Sequence, residues 1–423
     1  MRPVLRFPLI AGFALAVCLA AGAQQRRDAF VANRNDPAIR YSSAPVSDPV
    51  SRFNERLRSG AAKLAFDPKA GYLPAVLAAF AVPVESQALV FSPTSFQADL
   101  INMHNPRAVF FSDAVSVGWV RGGKVLEVAA MDPRQGVIFY SLEQNRAAAP
   151  QFKRDDQCLA CHLSWDTLGV PGLMTTSMFP LPDDPNAYAN GFTTVHGSPF
   201  EQRWGGWWVT GSHGGGRHMG NVPVLPVDAK KKIPSPTREL VSLEGLFDLD
   251  GFPTPYSDVV AQLVLAHQTR MTNLITRTGW EARLAAASPG ADAAARVRES
   301  ARDLVDYLLF VDEAPLPGPV KGTSGFAEKF AAMGPRDSKG RSFRELDLRR
   351  RLFRYPCSYM IYSEAFDALP ANALQEVYAR LAHVLAGRDP APRYKVLTAA
   401  DRRAVVEILR ATKKALPAAF AAL

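Results

Sequence analysis

Arg107 to Leu142 reads RAVFFSDAVSVGWVRGGKVLEVAAMDPRQGVIFYSL. Four runs rich in β-branched and aromatic residues, at 107–111, 115–120, 124–130 and 137–142, alternate with turn residues. Arg121-Gly122-Gly123-Lys124 supplies a hairpin turn between two of them, and Asp132-Pro133 opens another. Short turns of this kind join antiparallel strands, so the stretch predicts a small antiparallel sheet.

Downstream the pattern changes twice. From Gly169 to Pro226 the chain is rich in Gly, Pro and aromatic residues with few helix signals, and a long irregular segment inside a compact chain usually builds a site. Phe192, Phe200, Trp204, Trp207 and Trp208 are large groups expected to be buried. From about Pro236 apolar residues recur at helical spacing, predicting helices over 257–280, 291–311, 371–386 and 398–422. The expected fold is α+β: a small antiparallel sheet and a Gly/Trp-rich segment, followed by a mainly α-helical C-terminal half. Residues 24–84 form a polar leader, Gln24 to Ser51, and an N-terminal segment; 85–235 form the β-rich region and 236–423 the helical region packed on it. No internal repeat interrupts this order, and one unit fits better than independent modules.

Met1 to Ala23 reads MRPVLRFPLIAGFALAVCLAAGA, with Arg2 and Arg6 ahead of an apolar run and small residues before Gln24. This is the pattern of a cleaved secretory signal, 1–23, and implies a periplasmic or secreted product. Val17 before Cys18 is too large for a typical lipidation site. No later run is apolar enough to span a membrane, so the chain is not expected to do so once the signal is removed. At 423 residues and 48% apolar composition the chain can bury a core without disulfides. Its net charge of +9 is dispersed, and the densest basic run, Arg349-Arg350-Arg351 with Arg354, reads as a solvated helix face and not as a nucleic-acid site.

Inside the β-to-irregular transition stands Cys158-Leu159-Ala160-Cys161-His162. Covalent haem attachment needs two thiols that add to two vinyl groups and an imidazole beside them for the iron, and C-x-x-C-H provides both on one helical turn. Export is the setting in which haem c is assembled. A C-x-x-C redox pair, a zinc clip and a Cys158–Cys161 disulfide remain as alternatives; the first lacks a βαβ context, and the second has only Cys357 as a further thiol. Cys357 otherwise reads as a small buried hydrophobe.

The block CLACHLSWDTLGVPG, 158–172, resembles the haem-binding segment of c-type cytochromes. That resemblance implies thioether bonds at Cys158 and Cys161, His162 as proximal iron ligand, and Pro171 as the residue whose carbonyl orients the imidazole. Together with NPRAVFFSDAVSVGWV, RWGGWWVTGSHGGGRHMGN and YPCSYMIYSEAFDALP, the block is similar to a family of large exported cytochrome c domain-containing proteins. The family implies one covalent haem c, electron transfer and a redox partner protein. Having one attachment motif, the chain departs from di-haem bacterial peroxidases.

The sixth iron ligand separates carrier from enzyme. Met219 or His218, in Arg217-His218-Met219-Gly220-Asn221 after the run Gly214 to Gly216, are the preferred candidates. His196, His213, Met174, Met178 and the pair His267 and Met271 are weaker, and His104 reads as a turn residue. Arg203 and Arg217 are candidates for haem propionates, and the tryptophans serve the haem edge or the core equally well. The alternative to a carrier is a peroxidase-type or oxygenase-type haem enzyme with Arg217 and His218 over an open iron.

Overall fold

The computed structural model describes residues 33–147, 149–178, 191–222 and 238–423. The expected signal at 1–23 lies outside them. Six strands form one antiparallel meander: β1 (Ala88–Val90), β2 (Arg107–Phe111), β3 (Val115–Trp119), β4 (Val125–Asp132), β5 (Gly136–Glu143) and β6 (Lys153–Arg154). The central four coincide with the four predicted runs to within two residues. Gly122, at φ +76°, makes the β3–β4 turn, and the Asp132 carboxylate takes the N–H groups of Arg134 and Gln135 to close the next.

Side chains alternate between the two faces of a sheet, and the register sorts these strands cleanly. Phe110, Val117, Val128 and Tyr140 share one face with Leu126, Ala130, Ile138 and Leu142, all buried and apolar but for the tyrosine hydroxyl. The other face carries Arg107, Gly118, Glu127 and Phe139. The apolar face packs against the N-terminal segment, which includes α1 (Pro49–Arg58) and α2 (Leu73–Ala79). The mixed face is where the C-x-x-C-H turn sits.

The polar leader expected over Gln24 to Ser51 is corrected at its C-terminal end. Ile39, Tyr41, Asp48 and Val50 are fully buried. Asp48 caps α1 through the Val50 and Ser51 N–H groups and receives the Tyr140 hydroxyl at 2.6 Å. Polar residues there satisfy one another in the interior, which composition alone does not reveal.

Beyond the sheet come the single-turn helix α3 (Leu159–His162), the paired strands β7 (Thr175–Ser177) and β8 (Phe192–Thr194), and the helical half: α4 (Val259–Ala287), α5 (Ala291–Leu308), α6 (Phe326–Ala332), α7 (Ala371–Leu385) and α8 (Ala399–Thr412). Between β8 and α4, Ser212–His213 forms β9, which pairs with β10 (Val320–Lys321). The predicted helix over 398–422 ends at Thr412, and a separate 3-10 turn follows Pro417, whose ring cannot continue a helix. The run Arg349 to Arg351 lies in a loop, not on a helix; Arg349 and Arg350 are exposed, and Arg351 pairs with Asp401.

Helix α4 ties the parts together. Its N-cap Asp258 holds Val260 and Ala261 N–H with one oxygen and Thr323 and Ser324 N–H with the other. Further along, Gln268 donates to Ser112 O, Asn273 holds Leu173, and Arg283 donates to Ala38 O and Ile39 O. No helix among the described residues is long and apolar enough to cross a membrane.

Candidate functional site

Asp155 caps the turn that carries the motif by accepting the Gln157 N–H, and the chain then winds through a 3-10 turn, 156–158, directly into α3. Leu159 anchors this turn in the sheet core, while Cys158 is half-buried and Cys161 is exposed. All three described cysteines are free thiols. After the helix the chain reverses through Ser164 to Gly169, with Leu168 and Gly169 both at positive φ, and returns as Pro171-Gly172-Leu173 beneath His162.

Three consecutive carbonyls there have three different partners. Pro171 O accepts the Val137 N–H of β5 at 3.3 Å. Gly172 O lies 2.9 Å from His162 Nδ1. Leu173 O accepts from Asn273 Nδ2 at 2.7 Å, and Asn273 Oδ1 takes the Leu173 N–H at 2.9 Å. The residue that orients the imidazole is therefore Gly172 and not Pro171. Successive carbonyls in this extended return point in different directions, and the proline's is used by the sheet. A Cβ on Gly172 would stand 2.2 Å from Asn273 Oδ1, so glycine is what lets the loop lie against α4.

A carbonyl can only accept, so His162 carries its proton on Nδ1 and presents Nε2 as a lone pair. Its ring packs on Phe139 at 4.8 Å, and burial holds its pKa below the usual value. The imidazole is neutral, the form that binds a metal.

Arg107 and Glu127 lie near both His162 and Cys158, and sequence reasoning missed them. Their side chains meet at 2.5 Å across β3, with the guanidinium over Gly118, where a Cβ would stand 2.5 Å from Nη2. Arg107 Nε is buried with no hydrogen-bond partner among the described residues. A buried donor of this kind fits an anionic group such as a propionate. Burial, with the Asp155 and Glu127 carboxylates, pushes the Cys158 thiol up to about 12.

These observations sort the alternatives. A redox C-x-x-C pair needs a depressed thiol pKa, and that of Cys158 is raised. Cys357 is fully buried in the helical core, apart from the motif, and no set of three or more His, Cys, Asp or Glu side chains converges for a metal among the described residues. A zinc clip has no ligand set there. Two free thiols, one imidazole with Nε2 available and an orphaned cationic donor fit haem c.

The Gly/Trp segment wraps β1 and β7. Trp207 donates to Thr176 O and Trp208 to Met103 O, and with Trp204 both are buried, whereas Phe192 is exposed, against expectation. Arg203 is buried and gives its guanidinium to His196 O and Ser198 O. Arg217 is exposed. His218 and Met219 point apart. His218 is fully buried beside Trp204 and His213, its Nδ1 accepts the Gly220 N–H, and burial lowers its pKa to about 3. Met219 is half-buried, with Sδ 3.7 Å from the Ser177 hydroxyl of β7. His104 lies in an exposed turn. His267 is a satisfied core residue, bonded to His196 Nδ1 at 3.1 Å and to Ser358 Oγ at 2.8 Å, and Met271 is buried on the same helix.

No family model, no curated protein and no solved structure matches the chain.

Proposed function

We propose that the chain is an exported c-type cytochrome, periplasmic or secreted, that binds one haem through Cys158 and Cys161 and exchanges electrons with a redox partner protein. The observation that carries this reading is the His162 Nδ1 bond to Gly172 O, because it fixes the ring and leaves Nε2 for iron in a motif whose two thiols are unpaired. Bound haem supplies a one-electron ferric/ferrous couple. The protein's own part is to hold the imidazole neutral and oriented, to keep its Nδ1 proton on Gly172 O, and to place Arg107 where it can offset a carboxylate. Met219 is the favoured distal ligand over His218, whose ring is enclosed by aromatic neighbours. An enzyme using Arg217 and His218 together has less support, since one is exposed and the other fully buried.

Expression of the exported chain alongside a cytochrome c maturation system tests this. Haem that stays with the polypeptide through acid-acetone extraction is expected, and its loss in Cys158→Ser with Cys161→Ser. Extraction of all haem from the wild type would overturn the reading. A low-spin spectrum that turns high-spin in Met219→Ala supports the carrier, and an unchanged spectrum removes Met219.

A further inference from the structure

Beside the motif loop, α4 and α5 flank a half-open cavity of about 230 Å³ lined in part by Leu168, His196, Arg270, Leu274, Asp303 and Tyr307. Leu168 comes from the loop that follows the haem motif. Arg270 and Leu274 stand one turn apart on α4, as do Asp303 and Tyr307 on α5, so the two helices present facing polar and apolar walls.

Asp306, Asp312 and Arg393 complete the lining, and their charges answer one another. Arg393 pairs with Asp306, which also accepts the Tyr394 hydroxyl, and Arg393 lies 3.9 Å from Asp312. The other two lining charges do not. Arg270 and Asp303 face the same space, yet among the described residues neither forms an ion pair within 4 Å or a hydrogen bond. Burial lowers the Arg270 pKa, and the Tyr307, Asp303 and Asp166 side chains act against that. Arg270 and Asp303 are both half-buried, so two opposite charges border one cavity without a direct partner among the described residues.

His196 supplies an uncharged wall. Its ring stacks on Tyr307 with centroids 3.8 Å apart, its Nδ1 is engaged by His267, and burial holds it neutral. Nε2 is the ring atom with no hydrogen bond among the described residues.

We propose that this cavity binds a small amino-carboxylate zwitterion, with its carboxylate on Arg270, its ammonium group toward Asp303 and His196 Nε2 at its side. A plain anion would compensate Arg270 and be repelled by Asp303, and a plain cation would do the reverse. A zwitterion spans the gap and satisfies both. The volume lies below that of sites for drug-sized ligands and is ample for a small amino acid. The inference is independent of haem.

Thermal unfolding and calorimetry of the purified mature protein with glycine, L-alanine, β-alanine, acetate and methylammonium test it. A ligand that binds only the folded state raises Tm by mass action, so an amino acid at tens of millimolar should do so, with Kd of about 1 mM or tighter. Acetate and methylammonium, alone or mixed, should not match it. Arg270→Gln and Asp303→Asn should each weaken binding about tenfold or more. If Arg270→Gln does not fold, Asp303→Asn decides, because among the described residues Asp303 has no hydrogen bond or ion pair to lose. Equal shifts with acetate, or no shift with any amino acid, would overturn the proposal.

Discussion

Asn273, in the middle of α4, holds both backbone groups of Leu173, accepting its N–H at 2.9 Å and donating to its carbonyl at 2.7 Å. It thereby locks the loop whose preceding carbonyl orients His162. Asn273→Ala leaves a partly buried donor and acceptor without partners, a loss of about 1–3 kcal/mol. Denaturant unfolding checks the magnitude, and Asn273→Leu separates bonding from volume. A leucine variant as stable as the wild type would show that packing alone matters there.

Gly172→Ala attacks the same contact from the other side. Its Cβ would need the space of Asn273 Oδ1, 2.2 Å away, so either the amide or the loop must shift. Overpacking of this kind costs about 1–3 kcal/mol. The displaced carbonyl should also alter the proximal bond, read in the holoprotein as a changed reduction potential. Pro171→Ala keeps its carbonyl on Val137 and should leave the potential nearly unchanged. A larger shift in Pro171→Ala than in Gly172→Ala would reverse the assignment of the orienting carbonyl.

The two motif thiols should differ in reactivity in the folded chain without haem. Cys161 is exposed, whereas burial and neighbouring carboxylates raise Cys158 to about 12. Because the thiolate is the nucleophile, maleimide labelling of the folded apoprotein at pH 8 should modify Cys161 at least about 100-fold faster than Cys158. Peptide mass mapping reads the order. The same difference predicts that folded apoprotein mixed with haem in a test tube acquires little thioether at Cys158.

Much of the fold was legible because its signals are local. Strands β2 to β5 declare themselves through β-rich runs and turn chemistry, and helices α4, α5, α7 and α8 through apolar spacing. The C-x-x-C-H motif is likewise a five-residue string. What sequence could not supply is contact at long range: Asn273 meets Leu173 across a hundred positions, and Arg107 reaches Glu127 only because the meander folds β2 and β4 to either side of Gly118. The substitution of Gly172 for Pro171 is a subtler failure. A turn motif locates the loop but not which of its carbonyls turns inward. The separate surroundings of His218, among Trp204 and His213, and of Met219, beside Ser177, are likewise long-range contacts.

Acid should destabilise the protein through its buried histidines, and one carboxyl should mask part of the effect. Burial lowers His218 and His267 to about 3 in the folded state, while in the unfolded chain they titrate near 6.5. Between these values the unfolded state binds more protons, so stability falls with pH by about 1.4 kcal/mol per unit for each group. Above about pH 6.5 neither contributes a slope. Glu313 runs the other way, since burial raises its pKa from 4.5 to about 7 and the folded state binds the extra proton across that interval. From about pH 6.5 down to 4.5 one histidine's slope is therefore cancelled, and below 4.5 both act in full. Urea unfolding across pH 4 to 8 should show a decline below about pH 6.5 that steepens further below about 4.5, with the other buried histidines adding to it. Glu313→Gln should bring the steep decline forward to begin near pH 6.5, and His218→Gln should flatten it by about 1.4 kcal/mol per unit. The slopes carry the test, because either substitution also alters packing; parallel profiles for wild type and both variants would rule out this pair of opposing titrations.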